Sequence, residues 1–222
     1  MGKHHEDSVL VVGLGRFGGS ISSTLERLGH EVLAVDADLD LVQEWSTRLR
    51  HVTQVDATSE SAMRQLGAEQ FDIAVVAIGD DVEASLLTTG VLVDLGLKEV
   101  WAKAITPAHG RILERSGASH VVYPERDAGE RTAHLLTGRL IDYLEFDDGF
   151  AIVKLKAPRE SFDKTLGQTA LRSKYGVTIV GVKRGGEDFT HAVPDTVVRD
   201  GDLLIVSGAA HLIEKFAAEA FT

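Results

Sequence analysis

Val9-Leu10-Val11-Val12-Gly13-Leu14-Gly15-Arg16-Phe17-Gly18 is the stretch whose reading decides the fold. Four apolar residues in a row, bounded by glycine, read as a strand covered on both faces. The glycines that follow keep the G-x-G-x-x-G spacing. Gly13 allows the tight turn, Gly15 lets the backbone come close to a phosphate, and Gly18 lets the next helix pack against the strand. That helix offers unpaired N–H groups and the positive end of its dipole to an anion. The following apolar run, Val32-Leu33-Ala34-Val35, closes on Asp36. An acid at that place accepts hydrogen bonds from ribose hydroxyls and disfavours a 2′-phosphate. The glycine spacing alone would read equally as a tight turn with no ligand. With strand, helix and acid in place around it, the stretch predicts an adenine-nucleotide site.

Working outward, strand-like runs recur at 8–13, 32–36, 51–55, 72–78, 99–104 and 119–123, with helical patterns between them. Phe17, Ile21, Leu25 and Leu28 share one helical face and Gly29 stops it; Leu39, Val42, Trp45 and Leu49 repeat the pattern. Residues 81–95 read as a helix ended by Gly96, and a further one begins at Pro107 and ends at Gly117. Six strands alternating with five helices predict an α/β, Rossmann-like, doubly wound parallel sheet over residues 1–126. Right-handed crossovers then favour the strand order 3-2-1-4-5-6.

Past the sixth strand the pattern changes. Residues 127–145 read as one amphipathic helix, with Ala133, Leu136, Leu140 and Leu144 as its stripe and Ile141 beside it. It has no strand of the sheet to connect to, so it is expected to cross to a partner or another module, or to fold back on its own sheet. Residues 146–222 carry strand-like 152–155, 177–182 and 203–206, a short helix over 165–174, a turn at Gly185-Gly186 and a terminal helix over 211–220. They predict a small α+β domain, the size of a binding module rather than of a dehydrogenase substrate domain.

Bulk properties narrow the class. With 44% hydrophobic residues the chain can bury a core, and with no cysteine it has neither disulfides nor thiolate metal sites. No apolar run reaches the roughly 18 residues of a membrane span, and the N-terminal residues lack the apolar stretch of a signal peptide, so a cytoplasmic location is expected. The net charge of −11 is concentrated early: residues 1–145 carry 23 acids against 13 bases, residues 146–222 carry 11 against 10. An acidic chain without a basic cluster is not expected to bind nucleic acid. The nine histidines show no metal spacing, and no G-x-S-x-G elbow occurs.

Taken together, the glycine loop, Asp36, Val55-Asp56-Ala57-Thr58, Ala77-Ile78-Gly79, Trp101-Ala102-Lys103, Tyr123-Pro124-Glu125 and the closing Asp195-Thr196…Asp200-Gly201-Asp202-Leu203 resemble the RCK (KTN, TrkA-like) regulators of bacterial potassium transporters and channels. The resemblance covers the whole chain: an N-terminal nucleotide-binding RCK domain (1–126), a crossover and dimerisation helix (127–145) and a C-terminal RCK domain (146–222). It implies a cytosolic, non-catalytic regulatory subunit of a Ktr/Trk-type potassium uptake system that responds to ATP/ADP or NAD(H). It also implies a homodimer assembling into an octameric ring on a membrane potassium-translocating subunit.

By the same resemblance, Gly13, Gly15 and Gly18 with Phe17 form the phosphate loop, and Asp36 holds the ribose. Asp56, Ala57 and Thr58 line the adenine side, Ile78 and Gly79 touch the nucleotide, and Lys103 closes the crevice. Arg16 reaches a terminal phosphate, and Glu125 helps hold a divalent or sodium ion beside it. The residues themselves leave alternatives open. Arg16 reads also as a surface arginine, Asp56 as a loop acid or N-cap, and Glu125 as a residue favoured by the dipole of its helix. An ammonium in an apolar strand needs a partner, so Lys103 points either to a phosphate or to an acid such as Glu125.

Family members that bind cyclic di-AMP do so between C-domains, at a stretch corresponding to Leu171-Arg172…Gly176-Val177-Thr178-Ile179-Val180. Thr178 and Val180 stand where those binders carry amide and imidazole groups. Cyclic di-AMP is therefore not expected, and Val177 and Ile179 read as a dry dimer interface. Two rivals use the same fold: an NAD-dependent oxidoreductase, which lacks a visible acid–base pair here, and a soluble nucleotide sensor without a transporter.

Overall fold

In a computed structural model that describes residues 8–136, 138–146 and 148–220, the chain divides between Arg126 and Asp127 into two units. The first alternates β1 (Ser8–Val12), α1 (Arg16–Leu28), β2 (Glu31–Asp36), α2 (Leu39–Trp45), β3 (Val52–Gln54), α3 (Glu60–Leu66), β4 (Ile73–Val76), α4 (Val82–Asp94), β5 (Glu99–Lys103), α5 (Pro107–Arg115) and β6 (His120–Val122). Its strands form one parallel sheet in the order β3-β2-β1-β4-β5-β6, as the sequence predicts. Because the chain reverses direction across the sheet between β1 and β4, the ends of these two strands flank the crevice of a doubly wound fold.

The sheet is covered on both faces, which is why β1 is apolar without alternation. Leu10 and Val12 point into a core with Met63 of α3, Leu92 of α4 and Leu113 of α5. Val9 and Val11 pack on the other face, against Ile21 and Leu25 of α1. Leu28, expected on that same helical face, is exposed at the last turn of α1. Small side chains bring α4 close to the sheet: Ser85, Thr88 and Thr89 are fully buried. Among the described residues the Ser85 and Thr88 hydroxyls have no hydrogen-bond partner. His109 in α5 is enclosed too; its Nδ1 accepts a long hydrogen bond from the Ile105 N–H at 3.5 Å, while Nε2 has no partner among the described residues.

The helix expected over 127–145 is corrected. A helix, α6 (Pro124–Leu136), starts earlier and stops at Leu136, and β7 (Leu140–Glu145) is a strand. Gly138, at a positive φ of 71°, breaks the helix, and its N–H closes on the Leu135 carbonyl. The stripe expected for that helix is not a buried face: Leu136, Ile141 and Leu144 are exposed, and the strand has a bulge between Leu140 and Asp142. The bulge places Leu140 and Tyr143 on one buried face three positions apart, so a strand of ordinary period two carries helical spacing.

The second unit continues with β8 (Phe150–Lys156), β9 (Lys164–Thr165), α7 (Leu166–Thr169), α8 (Leu171–Tyr175), β10 (Thr178–Lys183), β11 (Phe189–His191), β12 (Val197–Val198), β13 (Leu203–Ala209) and α9 (Ala210–Glu219). Five strands form an antiparallel sheet, β11-β10-β13-β8-β7, and β12 pairs with β9. The helix expected over 165–174 is two short ones, because Ala170 takes a left-handed conformation between α7 and α8. The core gathers Val153, Leu155, Leu204 and Val206 from the sheet with Tyr175, Ile213 and Phe216 from the helices. Val177, expected in a dry dimer interface, is fully enclosed in the core of its own chain, while Ile179 packs against that core and stays partly exposed.

Asp202, whose side chain is 1% exposed, is held by both Arg184 Nε and Nη2 at 2.8 Å and by the Arg199 N–H at 2.8 Å. Burial pulls its carboxyl up, but these partners outweigh that and hold it below the ordinary value.

Candidate functional site

All thirteen residues named from the sequence for a nucleotide site lie in the first unit, at or just beyond the carboxyl ends of its strands. Gly13 follows β1 at φ 99°, and a Cβ there would lie 3.1 Å from the Ala77 backbone, so the glycine loop sits directly against the end of β4. A Cβ on Gly18 would be 1.8 Å from the Gly13 carbonyl oxygen; only glycine lets α1 come this close to its own loop. Gly15 differs: nothing lies within 4 Å of the place where its Cβ would be. The loop therefore has one open side.

The helix that starts there is unlike its neighbours. α2, α3, α4 and α5 each open with a side-chain cap, from Asp38, Ser59, Asp81 and Thr106 respectively. α1 opens at Gly15 with no side-chain cap, no acid in its first turn, and Arg16 as its first residue. Its first N–H groups are left to whatever comes to the open side of the loop, and an anion satisfies them best.

Asp36 does something the sequence did not disclose. Its Oδ2 accepts the Leu14 N–H at 2.6 Å and its Oδ1 accepts the Asp38 N–H at 2.8 Å. The carboxylate thus ties the glycine loop to the turn after β2, with lone pairs to spare on each oxygen. The signal was available in the register: Val12 stands beside Val35 in the parallel pair, so the residue after Val35 has to meet the loop after β1.

Asp56 is drawn the other way. Its Oδ1 accepts from the Thr58 hydroxyl at 2.6 Å and the Thr58 N–H at 3.0 Å, and these two bonds hold its carboxyl below the ordinary range. It is a loop acid; the cap of α3 is Ser59, whose hydroxyl accepts from the Ala62 N–H. Ala57 is buried in the core and Ile78 packs against it.

The fourth strand end, β5 and the start of α6 meet at Lys103. Its Nζ is 2.7 Å from Glu125 Oε1 and 5.8 Å from the centre of the Phe17 ring. A Cβ on Gly79 would lie 2.8 Å from the same Nζ. Of the two partners left open by the sequence, the protein supplies Glu125. The Lys103 hydrogen bond, with a smaller contribution from the Arg16 charge, holds the Glu125 carboxyl below its ordinary value. Among the described residues no group of three metal-ligating side chains occurs. Glu125 is thus the acid partner of Lys103.

Among the described residues no helix is long and apolar enough to cross a membrane. Residues 9–124 match the TrkA-N domain and residues 150–220 the TrkA-C domain. The chain is 40% identical to Ktr system potassium uptake protein C of Bacillus subtilis (strain 168) over 93% of its length and 94% of the relative's. It is 36% identical to Ktr system potassium uptake protein A of the same organism, over 99% of both. Among solved structures, a GsuK channel bound to NAD superposes with a TM-score of 0.67 at 17% identity, covering 100% of this chain and 41% of that one. The chain thus spans less than half of that channel subunit, and the likeness to it is one of fold.

Proposed function

The chain belongs to the TrkA family, as a TrkA-N domain followed by a TrkA-C domain, and on that premise we propose that it is a nucleotide-sensing regulatory subunit of a potassium uptake system. The observation that carries the sensing is the uncapped, acid-free N-terminus of α1 behind the open side of Gly15. An adenine nucleotide with a free ribose fits it. The loop N–H groups and Arg16 take the phosphates, and Asp36 turns its spare lone pairs to the ribose hydroxyls. Asp36 and Asp38 together repel a 2′-phosphate, so ATP, ADP and NAD(H) suit the crevice and NADP(H) does not. Arg16 is the group by which ATP and ADP are told apart, since a guanidinium grips a terminal phosphate with two parallel bonds.

Regulation follows from differential affinity. A nucleotide shifts a conformational equilibrium only by the difference between its affinities for the two states. The role is binding rather than catalysis, and the output is passed to a membrane potassium-translocating subunit. The chain would act as a homodimer assembled into an octameric ring. Val82 and Leu87 of α4, Ile105 just before α5 and Ile112 within it are exposed apolar side chains that self-association of the first unit would cover.

Thermal unfolding with ATP, ADP, NAD⁺, NADH and NADP⁺ tests the reading. A ligand at a hundred times its dissociation constant adds about 2.7 kcal/mol. We expect stabilisation by the unphosphorylated nucleotides and none by NADP⁺. Absence of a shift with all of them would remove the sensing role.

A further inference from the structure

A ring from another helix lies against the start of α1. A Cβ on Gly19 would stand 2.0 Å from Trp45 Cζ2 and 2.5 Å from Cε2 and Cη2, so the six-membered ring of the indole rests on the bare backbone of Gly19. Trp45 is the last residue of α2, and Gly19 closes the first turn of α1, its N–H donating to the Gly15 carbonyl at 2.9 Å. Any larger residue at position 19 would push the ring away. The indole is partly buried, and the Arg48 guanidinium lies over it, 5.0 Å from the ring centre.

The same indole packs on the cluster of Leu14, Ala34, Val42 and Leu49. Leu14 stands between Gly13 and Gly15 and is fully enclosed, and its N–H is the one that Asp36 accepts. The indole thus supports the loop on both sides of Gly15, through the cluster around Leu14 before it and through Gly19 after it. Neither contact reaches the open side of Gly15, where nothing lies within 4 Å.

The uncapped N–H groups of α1 are aimed by the backbone alone. Gly13, Gly15, Gly18 and Gly19 make up most of residues 13–19, and glycine loses more conformational freedom on ordering than any other residue. A loop of this composition holds one shape only if packing from outside imposes it. We propose that Trp45 is a positioning residue for the nucleotide phosphates: its ring sets the loop and the first turn of α1 in the arrangement that turns their N–H groups to one anion. This rests on the adenine-nucleotide reading of the crevice. Trp45 does not touch the ligand; it orders the loop before the ligand arrives, which removes that ordering from the cost of binding.

Calorimetric titration of the folded proteins with ADP, and with NAD⁺ in parallel, tests this on wild type and five variants. Trp45→Leu keeps the cluster apolar but takes the flat ring off Gly19, and should weaken binding about ten-fold, the scale of one charge-assisted hydrogen bond partly lost. Trp45→Tyr, which returns a flat ring of similar reach, should restore most of that affinity. Leu49→Ala opens the same cluster without removing the ring, and should leave affinity within about two-fold of wild type. Gly19→Ala reaches the contact from the other side without emptying the cluster. It should weaken binding as Trp45→Leu does, and should add no further loss when the two are combined. Wild-type affinity in Trp45→Leu overturns the assignment, as does an equal loss in Leu49→Ala or no recovery in Trp45→Tyr. A Gly19→Ala loss as large in the Trp45→Leu background as in wild type overturns it too. If wild type binds neither nucleotide, the crevice reading itself falls and the positioning role with it.

Discussion

Two glycines three positions apart should fail in opposite ways when each is replaced by alanine. In Gly18→Ala the new Cβ would stand 1.8 Å from the Gly13 carbonyl oxygen and 2.9 Å from the Ala77 Cβ, when real Cβ atoms essentially never come within 3.0 Å of a neighbour. The obstacle is backbone, so the loop or the whole of α1 has to retreat by more than an ångström. That places the cost at the upper end of overpacking, about 3 kcal/mol, or on the order of 10 °C in the melting of the first unit.

Gly15→Ala meets nothing. The backbone at Gly15, φ −60° and ψ −173°, is open to any residue. Stability should hold or rise by about 0.4–1 kcal/mol, because alanine narrows the unfolded ensemble. Nucleotide affinity should nonetheless fall on the order of a hundred-fold. A methyl on the open side of the loop holds a phosphate away from N–H groups whose charge-assisted bonds contribute about 1.5–3 kcal/mol each. Calorimetric melting of the free proteins and titration with ADP check both halves. Wild-type ADP affinity in a folded Gly15→Ala protein would show that phosphate does not approach there. A Gly18→Ala protein as stable as wild type would refute the packing argument.

Three further outcomes concern groups outside the loop. Arg184→Met leaves the enclosed Asp202 carboxylate without its bidentate partner and should cost about 3–5 kcal/mol in the second unit by urea unfolding. His109 is held below its unfolded value of 6.5 by burial. Its neutral form is thus favoured by folding, and its contribution is complete above about pH 6.5 and lost as pH falls below it. His109→Gln should flatten unfolding free energy between about pH 6.5 and 5; an unchanged slope contradicts that. Thr88→Val replaces a buried, unpartnered hydroxyl with a methyl of the same shape. It should raise stability by about 1 kcal/mol, and a loss of similar size would mean that the hydroxyl has a partner after all.

Much of the first unit was legible from residues near one another in the chain. Turn chemistry at Gly13, Pro107 and Gly117, apolar periodicity, and the right-handedness of crossovers suffice to order six parallel strands, because each of these rules acts over one strand–helix unit at a time. The second unit was harder to read. Leu136, Leu140 and Leu144 keep helical spacing across the end of a helix and into a strand, and nothing local marks the change until β8 is there to pair with Leu140–Glu145. Val177 reads as surface for a partner until Ile213 and Phe216, more than thirty positions later, close over the same core.

The candidate site divides along the same line. The sequence by itself determined which residue types stand at the strand ends: a glycine loop after β1, an acid closing β2, a lysine closing β5. These are demands of local backbone geometry and of charge. The tertiary structure alone decided which of them engage one another. Asp36 spends two acceptors on the Leu14 and Asp38 N–H groups because parallel register sets β2 beside β1. Lys103 finds Glu125 rather than solvent because β6 aligns Val122 with Lys103 and delivers the start of α6 to the same edge. The physical reason is that a strand's ends are fixed by its neighbours' register, a property of the assembled sheet, whereas the need of a buried charge for some partner is already present in the residue.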